Sequence, residues 1–445
     1  MVELDLSEGW RVSGAPEAAL AAAELEQGLA GITGESGGSG RVCFELVDSG
    51  GAGEGFRWEA TPAVIRLEGA GRSGLLHGVF GLLAALGVRW PWPGRTVRVG
   101  SPLLAVPATV EEEPVLPGRC LVLGERGLLE AAEDWIVWAA RNRLNTIFAH
   151  VSTQRAPLGS APEALWQQRR RRLVALARDR GMAIEHGGHL LPELVPAEAL
   201  TRAAHELEAG APAGGVQALQ AAVSAHARAH PEADVLHLWG ADTAAGAEAA
   251  TARSEQALRL TNAAAAAVER IAPTVTLASL AYHDTLAVPA AVRPRRNVCL
   301  LWAPRERGYD HPANGGPNAG MWELFQRQVA HYAAARPPRV FEYYLDAILF
   351  RRAVPELGRV MTADLAAYAA AGAHTVQALM TGTGPWRAPH PNPRLLSRLT
   401  WNLQQDTEAL LHDWRAALRG FKGKRQPPSS HRVSSNSATD RSSGS

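Results

Sequence analysis

The sequence predicts an α/β protein built on a (β/α)8 TIM barrel, preceded by a small α/β sandwich domain. Three observations predict it. From about Leu116 onward eight short apolar runs recur, each long enough for one strand. Helical stretches lie between most of them, and parallel strands buried on both faces read as apolar runs that need crossover helices. Before that region the rhythm differs, with strand-like alternation leading into a single strong helix within the first hundred residues.

In the first segment, residues 41–47 (RVCFELV) alternate like a half-buried strand, and residues 55–60 and 63–68 form a hairpin pair that turns near Thr61-Pro62. Residues 71–86 form a helix, Gly87 suits the left-handed position beyond its end, and residues 88–92 run out toward Pro93-Gly94. These elements make up a small α/β domain at 1–112. The barrel is expected at 113–420, with strands at 119–123, 146–150, 183–185, 235–239, 274–281, 298–302, 340–344 and 375–380. Helices are expected at 128–141, 162–180, 216–230, 252–271, 322–335 and 362–371, and a terminal helical segment at 392–418 packs on the barrel. Residues 421–445 are rich in Ser and basic residues with almost no apolar content, so a disordered tail is expected there, or a frameshift or cloning scar.

Composition removes several function classes. The chain has 445 residues, 46% of them apolar and 20% charged, at a formal charge of +1. Residues 422–445 hold five Lys or Arg against one Asp, which leaves the rest mildly acidic at −3. Nothing there favours nucleic acid or another polyanion as a partner. Cys43, Cys120 and Cys299 are odd in number and far apart, so neither a disulfide framework nor a zinc motif is indicated, and no cofactor is expected. The N-terminus has no charged segment leading into an apolar one, and the apolar run at 75–86 is too short to span a bilayer. A soluble, cytoplasmic protein with no membrane partner is the expectation.

Barrels of this kind work at the C-terminal ends of their strands. There the sequence places His186 and His189 after strand three, Trp239 and Asp242 after strand four, and Tyr282 and His283 after strand five. Arg305 and Glu306 follow strand six, Glu342, Tyr343 and Tyr344 lie in strand seven, and Trp386 follows strand eight. Carboxylates mixed with aromatic rings suit a sugar site, because a glycosidase needs an acid for the leaving oxygen, a second group for the oxocarbenium-like centre, and flat rings against the pyranose. Tryptophan is 13 of the 27 aromatic residues. Most should be core anchors, with Trp239, Trp302 and Trp386 as the exceptions because each falls where a strand becomes a loop.

Alternation in FEYYLD puts Glu342 and Tyr344 on one face and Phe341 and Tyr343 on the other. An inward Glu is costly unless paired or functional, so Glu342 is a leading catalytic candidate, with Glu306 beside it. Arg305-Glu306-Arg307 would by default be a solvated charge run, but its place directly after a strand favours one Arg pointing into the mouth. His186 and His189, three apart, would suit a zinc hydrolase site with Asp242 and His283. The two glycines between them instead favour backbone bent close to a ligand, with the histidines bonding sugar hydroxyls.

Residues 55–94, GFRWEATPAVIRLEGAGRSGLLHGVFGLLAALGVRWPWPG, resemble the small α/β domain that precedes the barrel in glycoside hydrolase family 20 hexosaminidases and family 67 α-glucuronidases. There too a hairpin leads into a helix ending near Leu-Gly-x-Arg-Trp-x-x-Pro-Gly. LAYHDTL (280–286), APRERGYDH (303–311), FEYYLD (341–346) and LTWN (399–402) look like a bacterial family known as domain of unknown function 4838. The resemblance implies a glycosidase-like barrel. Family 20 enzymes carry an adjacent Asp-Glu pair after strand four, whereas here Asp242 is followed by Thr243, which counts against substrate-assisted cleavage of an N-acetyl sugar. The branch also commonly has a Cys where this chain has Gly308.

The expected function is therefore a glycoside hydrolase acting on a carbohydrate substrate. Glu342 or Glu306 is the acid, Asp242 the partner carboxylate or substrate orienter, and His186, His189, Trp239, Tyr282, His283, Arg305, Tyr343, Tyr344 and Trp386 are sugar-binding groups. The alternatives are a non-catalytic carbohydrate-binding barrel and a metal-dependent hydrolase using the His186/His189 pair.

Overall fold

The computed structural model describes residues 1–34, 37, 40–98, 103–151, 162–241, 250–382 and 384–419. Asp242 and the segment 421–445 lie outside the described residues.

The N-terminal part is a mixed five-stranded sheet in the order β2 (Trp10–Gly14), β3 (Val42–Asp48), β5 (Val64–Gly69), β4 (Phe56–Ala60) and β9 (Thr109–Glu112). β2, β3 and β5 run parallel, and β4 is antiparallel to both of its neighbours. Strict alternation along β4 buries Phe56, Trp58 and Ala60 and exposes Arg57 and Glu59. β1 (Val2–Asp5) pairs with β8 (Leu103–Val106), and β6 (Arg89–Trp92) pairs with β7 (Arg95–Val97). Helices α1 (Ala19–Thr33) and α2 (Gly71–Ala85) pack beside each other and against the sheet. α2 buries ten of its fifteen residues.

The barrel closes in sequence order through eight parallel strands, β10 (Gly118–Leu123), β11 (Thr146–His150), β12 (Ala183–Gly188), β13 (Val235–Leu238), β14 (Thr276–Ala281), β15 (Val298–Trp302), β16 (Arg336–Asp346) and β17 (Thr375–Thr381). All eight expected strands are present. The connections are α3 (Arg126–Glu130) and α4 (Ala132–Arg141), then α5 (Pro162–Asp179), then α6 (Leu191–Leu194), α7 (Ala197–Glu208) and α8 (Gly214–Ala229), then α9 (Ala250–Glu269). The link from β14 to β15, described throughout, holds a single 3-10 turn at His283–Thr285 and no α-helix. α10 (Ala319–His331) and α11 (Gly358–Ala370) complete the crossovers, and α12 (Pro391–Trp401) and α13 (Thr407–Arg419) follow the last strand.

The N-terminal sheet docks where β10 and β11 begin. Glu54 holds Arg119 at 2.7 Å and the Asn145 amide at 3.0 Å, while Glu112 accepts from Arg143 and from the Trp401 indole at 2.7 Å. The Arg119 and Arg143 guanidinium groups lie over the Trp401 ring at 5.0 and 4.7 Å. These contacts lie at the N-terminal ends of the strands, away from the mouth at their C-terminal ends. Among the described residues no helix is long and apolar enough to cross a membrane, and all three cysteines are buried and free.

Candidate functional site

Inside the barrel the side chains form two storeys. The lower one is charged and fully enclosed: Glu185 of β12 accepts from Arg339 at 2.5 Å, from His237 Nε2 at 2.7 Å and from Gln377 at 2.5 Å. Burial alone would raise the Glu185 carboxyl, but the Arg339 charge and the His237 and Gln377 bonds outweigh it and hold the group below the usual carboxylate range. Burial depresses His237, so the imidazole stays neutral and donates to Glu185. Phe148 stacks on His237 at 4.0 Å, and Phe341 meets Phe148 at 6.3 Å, roofing this network.

Above lies the mouth. Trp239 sits centrally, its ring 5.7 Å from His150, 5.2 Å from His189 and 5.9 Å from Phe341. Burial, reinforced by His189 and His237, pushes the His150 imidazole down to about 3, so it stands neutral against the indole. His189 donates from Nδ1 to the Gly240 carbonyl at 2.7 Å, and its ring is 6.4 Å from Tyr282. Tyr282 stacks on Tyr343 at 6.5 Å and touches His283 at 3.7 Å. His283, in the left-handed region at φ 48, directs Nδ1 to Glu306 Oε1. Arg305 lies 5.9 Å above the Tyr343 ring, with its Nε 3.8 Å from Asp346. Glu306, His283 and Arg305 are each about one-third exposed, so the charged groups line the open rim over an aromatic floor.

Asp346 turns inward beneath the rim, where it is buried, because β16 bulges. Its register against β17 shifts between Glu342 and Leu345, and beyond the shift Asp346 pairs with Thr381 and accepts from the Thr381 hydroxyl and the Ile348 amide. One extra residue therefore changes which face the strand end presents.

Several expected site residues are elsewhere. Glu342 does not face the mouth: inward positions on β16 are Arg339, Phe341 and Tyr343, so Glu342 and Tyr344 point outward under α11. Glu342 is fully enclosed, accepting from Tyr309 at 2.8 Å, from Tyr368 at 2.5 Å and from Arg307 at 3.2 Å. Tyr344 donates to Asp364 at 2.8 Å, and Arg307 also meets Asp364. Alternation separates the two faces correctly but does not say which is the inner one; a buried Glu can be paired in the layer between strand and helix as readily as in a mouth.

His186 and His189 do not form a pair. Gly187 and Gly188 adopt φ 124 and φ 132, and a Cβ at Gly187 would lie 2.0 Å from the His237 carbonyl oxygen. The glycines let β12 press against β13, and with Glu185 facing inward plain alternation puts His189 in the mouth and His186 against Trp166, His226 and His230 outside the barrel. Trp302 is buried outward against Phe325. Trp386 is also buried, bonding the Thr381 carbonyl through its indole at 2.6 Å and packing on His390, an anchor of the last loop and not an open platform. Sequence reasoning gave Asp346, at the end of strand seven, no role in the site, because the bulge left no signal of its facing, and it missed Arg339, because that residue precedes the apolar run and follows Pro338.

The chain is a closed parallel (β/α)8 barrel with an aromatic, charged mouth, preceded by a mixed-sheet domain. Among solved structures, a glycoside hydrolase family 20 β-N-acetylglucosaminidase matches at a TM-score of 0.61 and 17% identity, over 94% of this chain and 92% of that one. A mutant Streptomyces plicatus β-hexosaminidase in complex with its product GlcNAc matches at 0.58 and 16%, over 96% and 94%. A GH138 enzyme targeting pectin rhamnogalacturonan II matches at 0.60 and 11%, over 92% of this chain and 52% of its own, so the present chain spans about half the length of that enzyme. At these identities the likeness shows the fold. Residues 240–424 match the family model described as Domain of unknown function (DUF4838). No curated protein matches the chain.

Proposed function

We propose that the protein is a glycoside hydrolase whose chemistry takes place at the C-terminal mouth, with Glu306 as the proton donor to the leaving oxygen. One observation carries this reading: Glu306 is the carboxylate that stands partly open on the rim beside His283, above the Tyr282–Tyr343 floor. The floor offers the flat apolar surface that a pyranose ring packs on. His283 orients the Glu306 carboxyl, and Asp346 holds Arg305 over Tyr343, where the guanidinium donates to sugar hydroxyl or carboxylate oxygens. His189 and Tyr282 bound the same floor and supply further polar contacts.

A second reading, a carbohydrate-binding barrel without turnover, is favoured by the fact that both carboxylates already have protein partners, Glu306 in His283 and Asp346 in Arg305 and Thr381. The metal-hydrolase reading loses its ligand pair, because His186 and His189 lie on opposite sides of the barrel wall. Screening the protein on a panel of aryl glycosides, with calorimetry on the same sugars, separates the first two. Turnover that falls at least about 100-fold in Glu306→Gln supports the hydrolase. Binding with no turnover on any glycoside supports the second reading.

A further inference from the structure

Outside the barrel wall, between β12, α5 and α8, three buried histidines converge: His186 from the strand and His226 and His230 from the last turn and end of the helix. The two helical histidines are four apart, which puts them on one face of α8, turned toward the strand. The ring centroids are 3.9 Å apart for His186 and His230, 4.5 Å for His226 and His230, and 5.4 Å for His186 and His226. One nitrogen from each ring lies within 4.8 Å of the other two. None of the three takes part in the mouth.

The surroundings prepare one of these rings as a ligand. His230 Nδ1 lies 3.1 Å from Glu232 Oε1, a carboxylate–imidazole contact that fixes the tautomer with the proton on Nδ1 and the lone pair on Nε2. Gln167 sits 3.1 Å from that Nε2, its amide nitrogen oriented there because its oxygen accepts from Arg170 at 3.2 Å. The Gln167 contact therefore occupies the lone pair that a cation would take, and a swing of one side chain releases it.

We propose that His186, His226 and His230 form a structural site for a divalent cation that prefers imidazole, of the Zn2+ class, clamping the third strand to its crossover helix. A tetrahedral ion with bonds of about 2.0–2.1 Å needs its ligand nitrogens roughly 3.3 Å apart. The stacked rings must therefore rotate about their Cβ–Cγ bonds and close by somewhat over an ångström, which the helix-end position of His230 permits. Glu232 stays behind His230 as the group that orients it, or moves in as the fourth ligand. Three imidazoles with carboxylate support match zinc better than calcium or magnesium, which take oxygen donors.

The full chain, stripped with a chelator and dialysed, would be titrated with Co2+ while its visible d–d absorption is followed, and then with Zn2+ while the unfolding temperature is followed. One equivalent of Co2+ giving an intense tetrahedral-type band, and a Tm raised by roughly 3 °C at zinc one hundred times its Kd, support the site. His226→Gln should abolish the band, Glu232→Gln should keep it with roughly 10–100-fold weaker affinity, and His189→Ala, on the other side of the wall, should leave it unchanged. A band that survives His226→Gln, or no band in the stripped wild type, overturns the proposal. If His226→Gln fails to fold, the Glu232→Gln affinity decides: unaltered affinity overturns it as well.

Discussion

Three consecutive residues, Arg305-Glu306-Arg307, serve two regions of opposite character. Arg305 and Glu306 stand on the open rim, facing Asp346 and His283. Arg307, one residue on, is buried with Glu342 and Asp364 in the layer between β16 and α11, its guanidinium 4.1 Å over the Tyr309 ring. Both regions combine carboxylates, arginine and tyrosine. They differ in access and in satisfaction: Arg305 and Glu306 are partly exposed and few-bonded, over a buried Asp346, whereas the enclosed charges are saturated, Glu342 by two tyrosine hydroxyls and Arg307, Asp364 by Tyr344, Arg307 and the Ala313 amide at 2.6 Å. Saturated, dry charges fix the loop that carries Glu306; half-open ones are free to meet a ligand. Glu342, in β16, anchors Arg307 and so positions the loop that carries Glu306, the proposed proton donor.

The largest effect expected from breaking this division is on turnover. Glu306→Gln should lower kcat by roughly 100-fold to 10,000-fold on whichever aryl glycoside the wild type cleaves, with the urea midpoint unchanged, since the side chain is partly exposed. Next comes the anchor. Arg307→Met removes the cation between two buried carboxylates and should destabilise the fold by about 3–5 kcal/mol in urea denaturation.

The third effect depends on pH. Burial, together with the neighbouring Glu342 charge and against Arg307, raises the Asp364 carboxyl to about 6 from an ordinary 3.8. The folded state therefore holds a proton that the unfolded chain has lost, and the resulting stability is fully present below pH 4 and is lost as pH rises to about 6. Wild type minus Asp364→Asn, followed by urea midpoint, should fall by up to about 3 kcal/mol across that window. A flat difference would mean that Asp364 titrates as an ordinary carboxylate. The smallest effect belongs to the floor: Tyr282→Ala should weaken sugar binding by about 1 kcal/mol, near fivefold in KM, while Tyr282→Phe should recover most of it.

Much of the fold was legible. The eight apolar runs correspond to the eight barrel strands, because strands buried on both faces must be apolar along their length. The edge strands Trp10–Gly14 and Thr109–Glu112 were not legible, since each buries few residues and its pattern is that of a loop. At the site, strand-end position pointed to His189, Trp239, Tyr282, His283, Arg305, Glu306 and Tyr343, which do gather at one mouth. Facing was the illegible part. Period-two alternation makes Glu342 and Phe341, and likewise His186 and His189, opposites without saying which is inward, and one local break, the β16 bulge, brings Asp346 in. A backbone irregularity of one residue has no hydrophobic signature, so only coordinates reveal it.

The division of labour within the loop is tested most directly by comparing Glu306→Gln and Glu342→Gln in parallel, with kcat normalised to folded protein and the urea midpoint measured on the same samples. The structure predicts that Glu306→Gln loses at least about 100-fold in kcat at an unchanged midpoint, and that Glu342→Gln keeps kcat within about threefold while its midpoint drops. A Glu342→Gln enzyme that is folded and inactive, beside an active Glu306→Gln, would contradict it.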